Sequence, residues 1–218
     1  MNSFYAKHRL LQWFIAIVMI VIAMLMLGLW VHLIEQHFLA YLLVFFWVPL
    51  FQFLTTPIFT LAGAYKYVSP MLLVYMPNEQ KYDLHNGTSF DYLIRDRKSE
   101  IGMTWRNKLL YYYIEGLLEI IQKVENDSLP KSLVIRGSSY FFSRSTAERL
   151  GFSLEKAGAF EKVNLVMNYL DLFWMYSVSK GKLSFPSLRN TKTAKILAGD
   201  LVKSKPKLQA IKEYLKKS

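Results

Sequence analysis

The sequence predicts a membrane α-helical hairpin of two transmembrane helices followed by a small α+β cytoplasmic domain, with a mixed or antiparallel sheet packed on helices. Three observations carry that expectation. Two apolar runs without acidic or basic side chains, residues 10–31 and 38–65, stand six residues apart. Behind them the chain changes to short alternating segments around one long amphipathic stretch. Lysine and arginine flank the hairpin at both ends and are missing from its connecting loop.

The first run is 22 residues long, and Gln12 is its only strongly polar side chain. At about 1.5 Å per residue such a helix covers roughly 33 Å, enough for a hydrocarbon core of about 30 Å. A cleaved signal peptide has a shorter apolar region closed by small residues, and Leu27-Gly28-Leu29-Trp30 is no such site. The second run holds Pro49, Gln52, Thr55, Thr56, Pro57, Thr60 and Gly63. Each proline removes an amide donor, so kinks are expected, and the Thr and Gln side chains can satisfy the freed groups and join the helices. A polar seam in an oligomer is the competing reading. The uncharged spans argue against an ion or proton pathway.

Lys7, Arg9 and Lys66 lie outside the loop 32–37, which has only Glu35 and two histidines. The positive-inside rule then places both termini in the cytoplasm, as for a multi-pass protein of a bacterial inner membrane. Trp13, Trp30, Tyr41 and Tyr65 stand near the span ends, where aromatic rings favour the interface. The expected organisation is a flank at 1–9, the hairpin at 10–65, an α+β domain at 66–182 and a basic helical tail at 183–218.

The absence of cysteine excludes disulfides, thiol catalysis and cysteine-ligated metal centres. Net charge is +11. Residues 66–179 carry 14 basic and 13 acidic side chains, whereas 180–218 carry 11 basic and 2 acidic. The excess therefore belongs to the tail. Anionic lipid headgroups are its simplest partner, at about 1 kcal/mol per basic residue near the surface. Nucleic acid ranks below lipid, because aromatic rings such as Tyr214 barely interleave the basic residues.

Within the domain, residues 70–76 read as a strand closed by Pro77-Asn78. A second strand, 82–85, runs into Asn86-Gly87, a tight-turn dipeptide, and 90–94 reads as a third. The three are expected to form an antiparallel meander, with a charged loop at 95–100. Residues 104–125 show helical periodicity, with Thr104 as N-cap and Asn126-Asp127-Ser128 before Pro130 as the stop. A buried strand at 132–137 follows. Next comes a short helix at 145–150 with a Ser145/Glu148 capping box and a C-terminal Gly151, then a strand at 152–156. Residues 160–179 read as one core helix with Asn164, Asn168 and Asp171 along an edge. A helix in the membrane interface, flanked by Lys162 and Lys180, is the alternative. The tail is read as helices at 191–202 and 206–217. In the second, Leu208, Ile211 and Leu215 share a face ringed by Lys205, Lys207, Lys212, Lys216 and Lys217, the pattern of a lipid-binding surface helix or of a docked one.

Three groups of residues are candidates for chemistry. Asp83, His85 and Asp91 crowd one turn, and on a strand Asp83 and His85 point the same way, so a carboxylate could orient an imidazole for general-base work. A hydrogen-bonded structural histidine is the plainer alternative. Arg136, Ser138 and Ser139 follow a strand, and a Gly-Ser-Ser corner can hold an anion through its amides, with Asn86 and Thr88 as further ligand-binding candidates. His32 and His37 are five residues apart and do not share a helical face, so no metal is assigned. No phosphate-binding or dinucleotide motif is present, and no cofactor is assigned.

Residues 131–158, with Leu133-Val134-Ile135 and Ala147-Glu148-Arg149-Leu150-Gly151-Phe152, resemble the closing half of GNAT-type N-acyltransferases. That resemblance implies a CoA thioester held at the start of the central helix, where Lys98…Gly102-Met103-Thr104 stands nearest the family's loop. Residues 71–182 are similar over a longer stretch to YkoP-like bacterial domains, through Leu84-His85-Asn86, the long helix, Gly137-Ser138-Ser139 and Arg149-Leu150-Gly151-Phe152. That family carries no assigned reaction. The expectation is therefore a membrane protein whose cytoplasmic domain binds a partner, a second copy of itself or an anionic ligand at the membrane surface. A membrane-tethered, CoA-dependent acyltransferase is the alternative.

Overall fold

The computed structural model describes residues 4–95, 101–139, 144–189 and 191–217. Helix α1, Arg9–Gln36, runs the whole first apolar segment, and a 3-10 segment, Phe38–Leu43, turns the chain back into α2, Val44–Leu61. Both helical stretches are long and apolar enough to cross a membrane. At the tip, the Trp30 indole N–H donates to Ala40 O at 2.8 Å, and the rings of Trp30 and Trp47 lie 6.0 Å apart. The second apolar run stops as a helix at Leu61, not at 65. Gly63 takes a φ of +82°, and Tyr65 already opens the first strand.

The α+β domain is built on a six-stranded mixed sheet. Strands β1, Tyr65–Ser69, β2, Leu72–Tyr75, and β3, Lys81–Asn86, form the antiparallel meander. It lies one strand earlier than expected. Residues 90–94 are not its third member; they sit in α3, Ser89–Arg95. The reason is local. Thr88 occupies the position before the helix, and its backbone N–H donates to Asp91 Oδ2 at 2.8 Å, the reciprocal half of a capping box. Asn86-Gly87 therefore leads from strand into helix instead of closing a hairpin.

The long helix α4, Met103–Glu125, begins at Gly102, not at a Thr104 cap, and stops at Asn126 as expected. Strand β4, Val134–Ser139, pairs parallel with β3. Helix α5, Arg144–Arg149, leads through Gly151, at φ +82°, into β5, Ser153–Lys156. The Ser145 side chain of the expected capping box lies outside the described residues, as does most of the expected 95–100 loop. The single helix expected over 160–179 is broken at Asn168 into α6, Ala159–Met167, and α7, Tyr169–Lys180.

The segment read as a helical tail is a structural member of the sheet. Residues 192–197, expected to be helical, form strand β6, Lys192–Leu197, between β4 and β5. The Ala, Lys and Leu content suits a helix, but Ala194 and Ile196 alternate with Thr193 and Lys195 and fill a slot that only a strand can occupy. Helices α8, Ala198–Lys203, and α9, Lys205–Lys217, follow. One sheet face supplies Val68, Leu72, Val74, Tyr82, Ile135, Ala194 and Ile196 to a core shared with Ile114, Leu117, Ile120 and Ile121 of α4. Leu208 of α9 is fully buried in this core, with Ile211 and Leu215 packed against it. The apolar face that a lipid-lying α9 would need is thus spent on the domain.

Candidate functional site

The other face of the sheet is polar and aromatic. Alternation puts Tyr65, Tyr75, Asp83, Arg136, Lys195 and Ser153 on it, and the strand registers align them as one row across all six strands. At the hairpin end, the rings of Tyr65 and Tyr75 stack at 4.5 Å, and the His85 ring stacks on Tyr75 at 3.8 Å. At the middle, Arg136 donates from Nε to Asp83 Oδ1 at 2.5 Å and from a terminal nitrogen to Glu161 Oε1 of α6 at 2.9 Å. Lys81 adds a second cation to Asp83 at 2.6 Å.

Two helices stand over this row. From α2, Gln52 donates to the Tyr75 hydroxyl at 2.7 Å. From α6, Glu161, Asn164 and Asn168 form one stripe, at spacings of three and four. Between them lies a cleft of about 390 Å³, lined on the hairpin side by Trp30, Trp47, Phe51 and Thr55 and on the other by Tyr65, Tyr75, Asn164 and Asn168. Its lining holds no charged side chain. The Asn168 amide donates to the backbone and side-chain oxygens of Asn164 at 2.9 and 3.0 Å, while its own Oδ1 is buried without a hydrogen-bond partner.

The candidate residues separate into different places. Asp83 serves Arg136 and Lys81, and His85 is held by ring stacking instead of by that carboxylate. Burial lowers the His85 pKa to about 4; Asp83 pulls it up, while Arg136 and Lys81 push it further down. The imidazole is therefore neutral at physiological pH and poorly basic, unsuited to a general base working near neutrality. Arg136 is neutralised by two carboxylates, so it offers no spare charge to an anion. The Gly-Ser-Ser segment is not a corner: Gly137, Ser138 and Ser139 lie within β4, paired with Ala194, Thr193 and Lys192. Ser138 Oγ is 2.8 Å from Thr193 Oγ1, and the Ser139 side chain lies outside the described residues.

Asp91 is fully buried in a knot joining hairpin to domain. Its Oδ2 accepts from the Tyr67 hydroxyl at 2.7 Å and from Thr88 Oγ1 at 3.1 Å, and Thr56 of α2 donates to Thr88 Oγ1 at 3.1 Å. Burial and the Asp91 charge drive the Tyr67 pKa far up, so this phenol stays a donor. Asn86 is fixed in the same region, donating to Tyr92 at 3.0 Å and accepting from Tyr113 at 2.7 Å. Asp171, expected on an open edge, is buried instead and accepts from Ser89 and from Trp174 Nε1; burial raises its pKa.

The lysines named for lipid binding decorate a docked helix. Lys205 pairs with Glu125 at 2.6 Å and Lys212 with Glu115 at 3.1 Å, both on α4. Lys216 pairs with Glu213, and Lys207 donates to Arg149 O. The Lys217 side chain lies outside the described residues. The second span's threonines turn inward on their own helix, Thr55 to Phe51 O and Thr56 to Gln52 O, which is the kink-satisfying role, but Gln52 and Thr56 join α2 to the domain and not to α1. His32 lies beside Gln36 at 2.8 Å, and no cluster able to hold a metal occurs among the described residues.

Sequence reading missed Tyr65, Tyr75 and Glu161 as site residues. The stripe signal was present: Glu161 precedes Asn164 and Asn168 at helical spacing. Comparison with protein-family models, with curated proteins and with solved structures returned no match.

Proposed function

We propose that this is a membrane-anchored, non-catalytic protein that takes up an amphiphile in the cleft between its hairpin and the polar face of its sheet. Helix α1 and the outer side of α2 sit in lipid, the α+β domain packs along the other side of α2 through Gln52 and Thr56, and Lys7, Arg9 and Lys66 mark the cytoplasmic end. The observation that carries the reading is the cleft lining. Trp30, Trp47 and Phe51 suit an acyl or isoprenoid chain, whereas Gln52, Tyr75, Asn164 and the unpartnered Asn168 Oδ1 suit an uncharged, hydrogen-bonding head. An anionic head finds no free cation there, because Arg136 is already committed to Asp83 and Glu161.

The acyltransferase alternative lacks support at the place where it needs a cofactor. The N-terminus of α4 is capped by the end of α7: Gly102 N–H donates to Val178 O at 2.8 Å, and a Cβ on Gly181 would meet Gly102 Cα at 3.2 Å. Native mass spectrometry of the full chain released from detergent tests the proposal. One retained lipid adduct is expected, and Asn164→Trp, which fills the cleft mouth, should lose it. Wild type without an adduct, or a variant retaining it, refutes the cleft as the site.

A further inference from the structure

The polar row of the sheet climbs alongside the hairpin instead of standing beneath it. Tyr65 lies ring to ring against Phe59 of α2 at 5.3 Å, and its register partner Tyr75 takes a hydrogen bond from Gln52. From Phe59 to Gln52 the helix advances about 10 Å toward the tip. The next members of the row follow the same course. Asp83 is the register partner of Tyr75, and Arg136 that of Asp83. Helix α6, which holds Arg136 through Glu161, reaches the tip itself, because its Asn164 and Asn168 share a cleft with Trp30 and Trp47.

A hairpin that crossed the bilayer would carry this row with it. Gln52 stands about 14 Å from Leu61 along α2, near the mid-plane of a hydrocarbon core of about 30 Å. Tyr75 would lie at that depth, and Lys81, Asp83, Arg136 and Glu161 at it or beyond. None of these four charged side chains is fully buried, and Lys162 beside them is exposed. Charges inside a membrane face a bundle interior or a water-filled cavity, which this surface does not give Lys162. The sheet also ends in the largely exposed edge strand β5, and hydrocarbon has no partner for edge backbone groups. Helix α1 shows where lipid fits instead. It packs on α2, burying Ala16 and Ala23, while Leu10, Phe14, Ile17, Val21, Leu25 and Leu29 are all exposed along about 29 Å of its outer face.

We propose that the hairpin does not cross the bilayer: it lies along the surface of a single leaflet, with the outer face of α1 as its lipid contact, so that the loop 32–37 and the α+β domain stand on the same side. The proposal rests on the lipid anchorage given above and adds its geometry. Lipid then covers the one long face that is apolar throughout, the ion-paired row stays in water on the far side of α2, and Arg9 and Glu35, exposed at the two ends of α1, both reach the headgroup layer.

The chain has no cysteine, so introduced cysteines are labelled without background. The full-length double variant Glu35→Cys/Gln122→Cys, with one thiol in the loop and one on an exposed position of α4, is reconstituted in vesicles of phosphatidylcholine and phosphatidylglycerol. A membrane-impermeant polyethylene glycol maleimide is added outside, and tags per molecule are counted on a gel. The expected result is molecules with two tags or none, whichever way each one inserted. One tag per molecule, rising to two when detergent opens the vesicles, overturns the proposal and leaves a membrane-crossing anchor standing. A nitroxide at Leu25→Cys reports the occupant of the α1 face. High collision with oxygen and low collision with a water-soluble nickel chelate are expected there. Low collision with both overturns lipid as the occupant, because a second copy then covers α1. High nickel collision overturns the anchorage and the flat seat together.

Discussion

His85 gives the sharpest quantitative test of the polar row. Its pKa is lowered from 6.5 to about 4, chiefly by burial against Tyr75 and its neighbours, with Arg136 and Lys81 opposing a proton and Asp83 favouring one. The unfolded chain therefore binds the proton first as pH falls. Stability is fully present above the unfolded value of 6.5 and drains away as pH falls toward 4. Between about pH 7.5 and about pH 5 the difference in proton binding amounts to about 2 kcal/mol. His85→Phe keeps a ring on Tyr75 and cannot take a proton. Urea unfolding of both proteins in mild detergent, at a series of pH values, measures the effect directly. Wild type should lose about 2 kcal/mol more than the variant over that interval, while Asp171, whose pKa burial raises, works in the opposite direction and is common to both proteins. Parallel curves would mean that the imidazole is protonated without penalty, and the description of a dry, stacked histidine would be wrong.

Other perturbations test the remaining joints. Leu208→Ala should cost about 2–5 kcal/mol by urea unfolding, as for any fully buried leucine; no cost would mean that α9 leaves the domain. Asp91→Ala strands the Tyr67 hydroxyl and the Thr88 N–H, and should cost about 2–4 kcal/mol in the same assay. A near-neutral result would show that the knot does not bind hairpin to domain. A double-mutant cycle between Arg136→Met and Glu161→Gln should give a coupling of about 1 kcal/mol in unfolding free energy, and zero coupling would release Arg136 for a ligand. Gly181→Ala should lower the melting temperature, because the position needs φ +68° and lies against the Gly102 backbone; an unchanged melt would refute that contact.

Much of the fold was legible where a local signal agreed with the tertiary one. The two apolar runs, the 104–125 periodicity and the Gly151 stop each report on a segment by itself. The errors fall where another part of the chain decides. Residues 192–197 favour a helix alone and become a strand because β4 and β5 leave a slot for it. Residues 90–94 were misread for a different reason, since Thr88 and Asp91 carry a readable start signal that the Asn86-Gly87 turn obscured. The site was less legible still. That Asp83 and Arg136 face each other depends on the register of a parallel pair 53 positions apart in sequence, and no spacing rule contains that. The apolar face of α9 was visible, but its partner was not: a face suited to lipid and a face suited to α4 have the same composition.

The hairpin is more than a tether. Gln52 and Thr56 leave α2 to bond Tyr75 and Thr88, and Phe53 packs its ring 5.5 Å from Phe90 of α3. Phe4 covers the other side of Phe90 at 5.4 Å. These contacts sit on the polar side of the sheet, where the domain has no α4 to close it. Cutting the chain at residue 66 would strip that cover, leaving Phe90 without Phe4 and Phe53 and the buried Asp91 without Thr56 behind it. The sheet thus has two lids of different origin: α4 with α9 on the apolar face, and the apolar hairpin with α6 on the polar face. Because the second lid also walls the cleft, any shift of α2 is felt at Tyr75 and His85 through one hydrogen bond and two stacked rings.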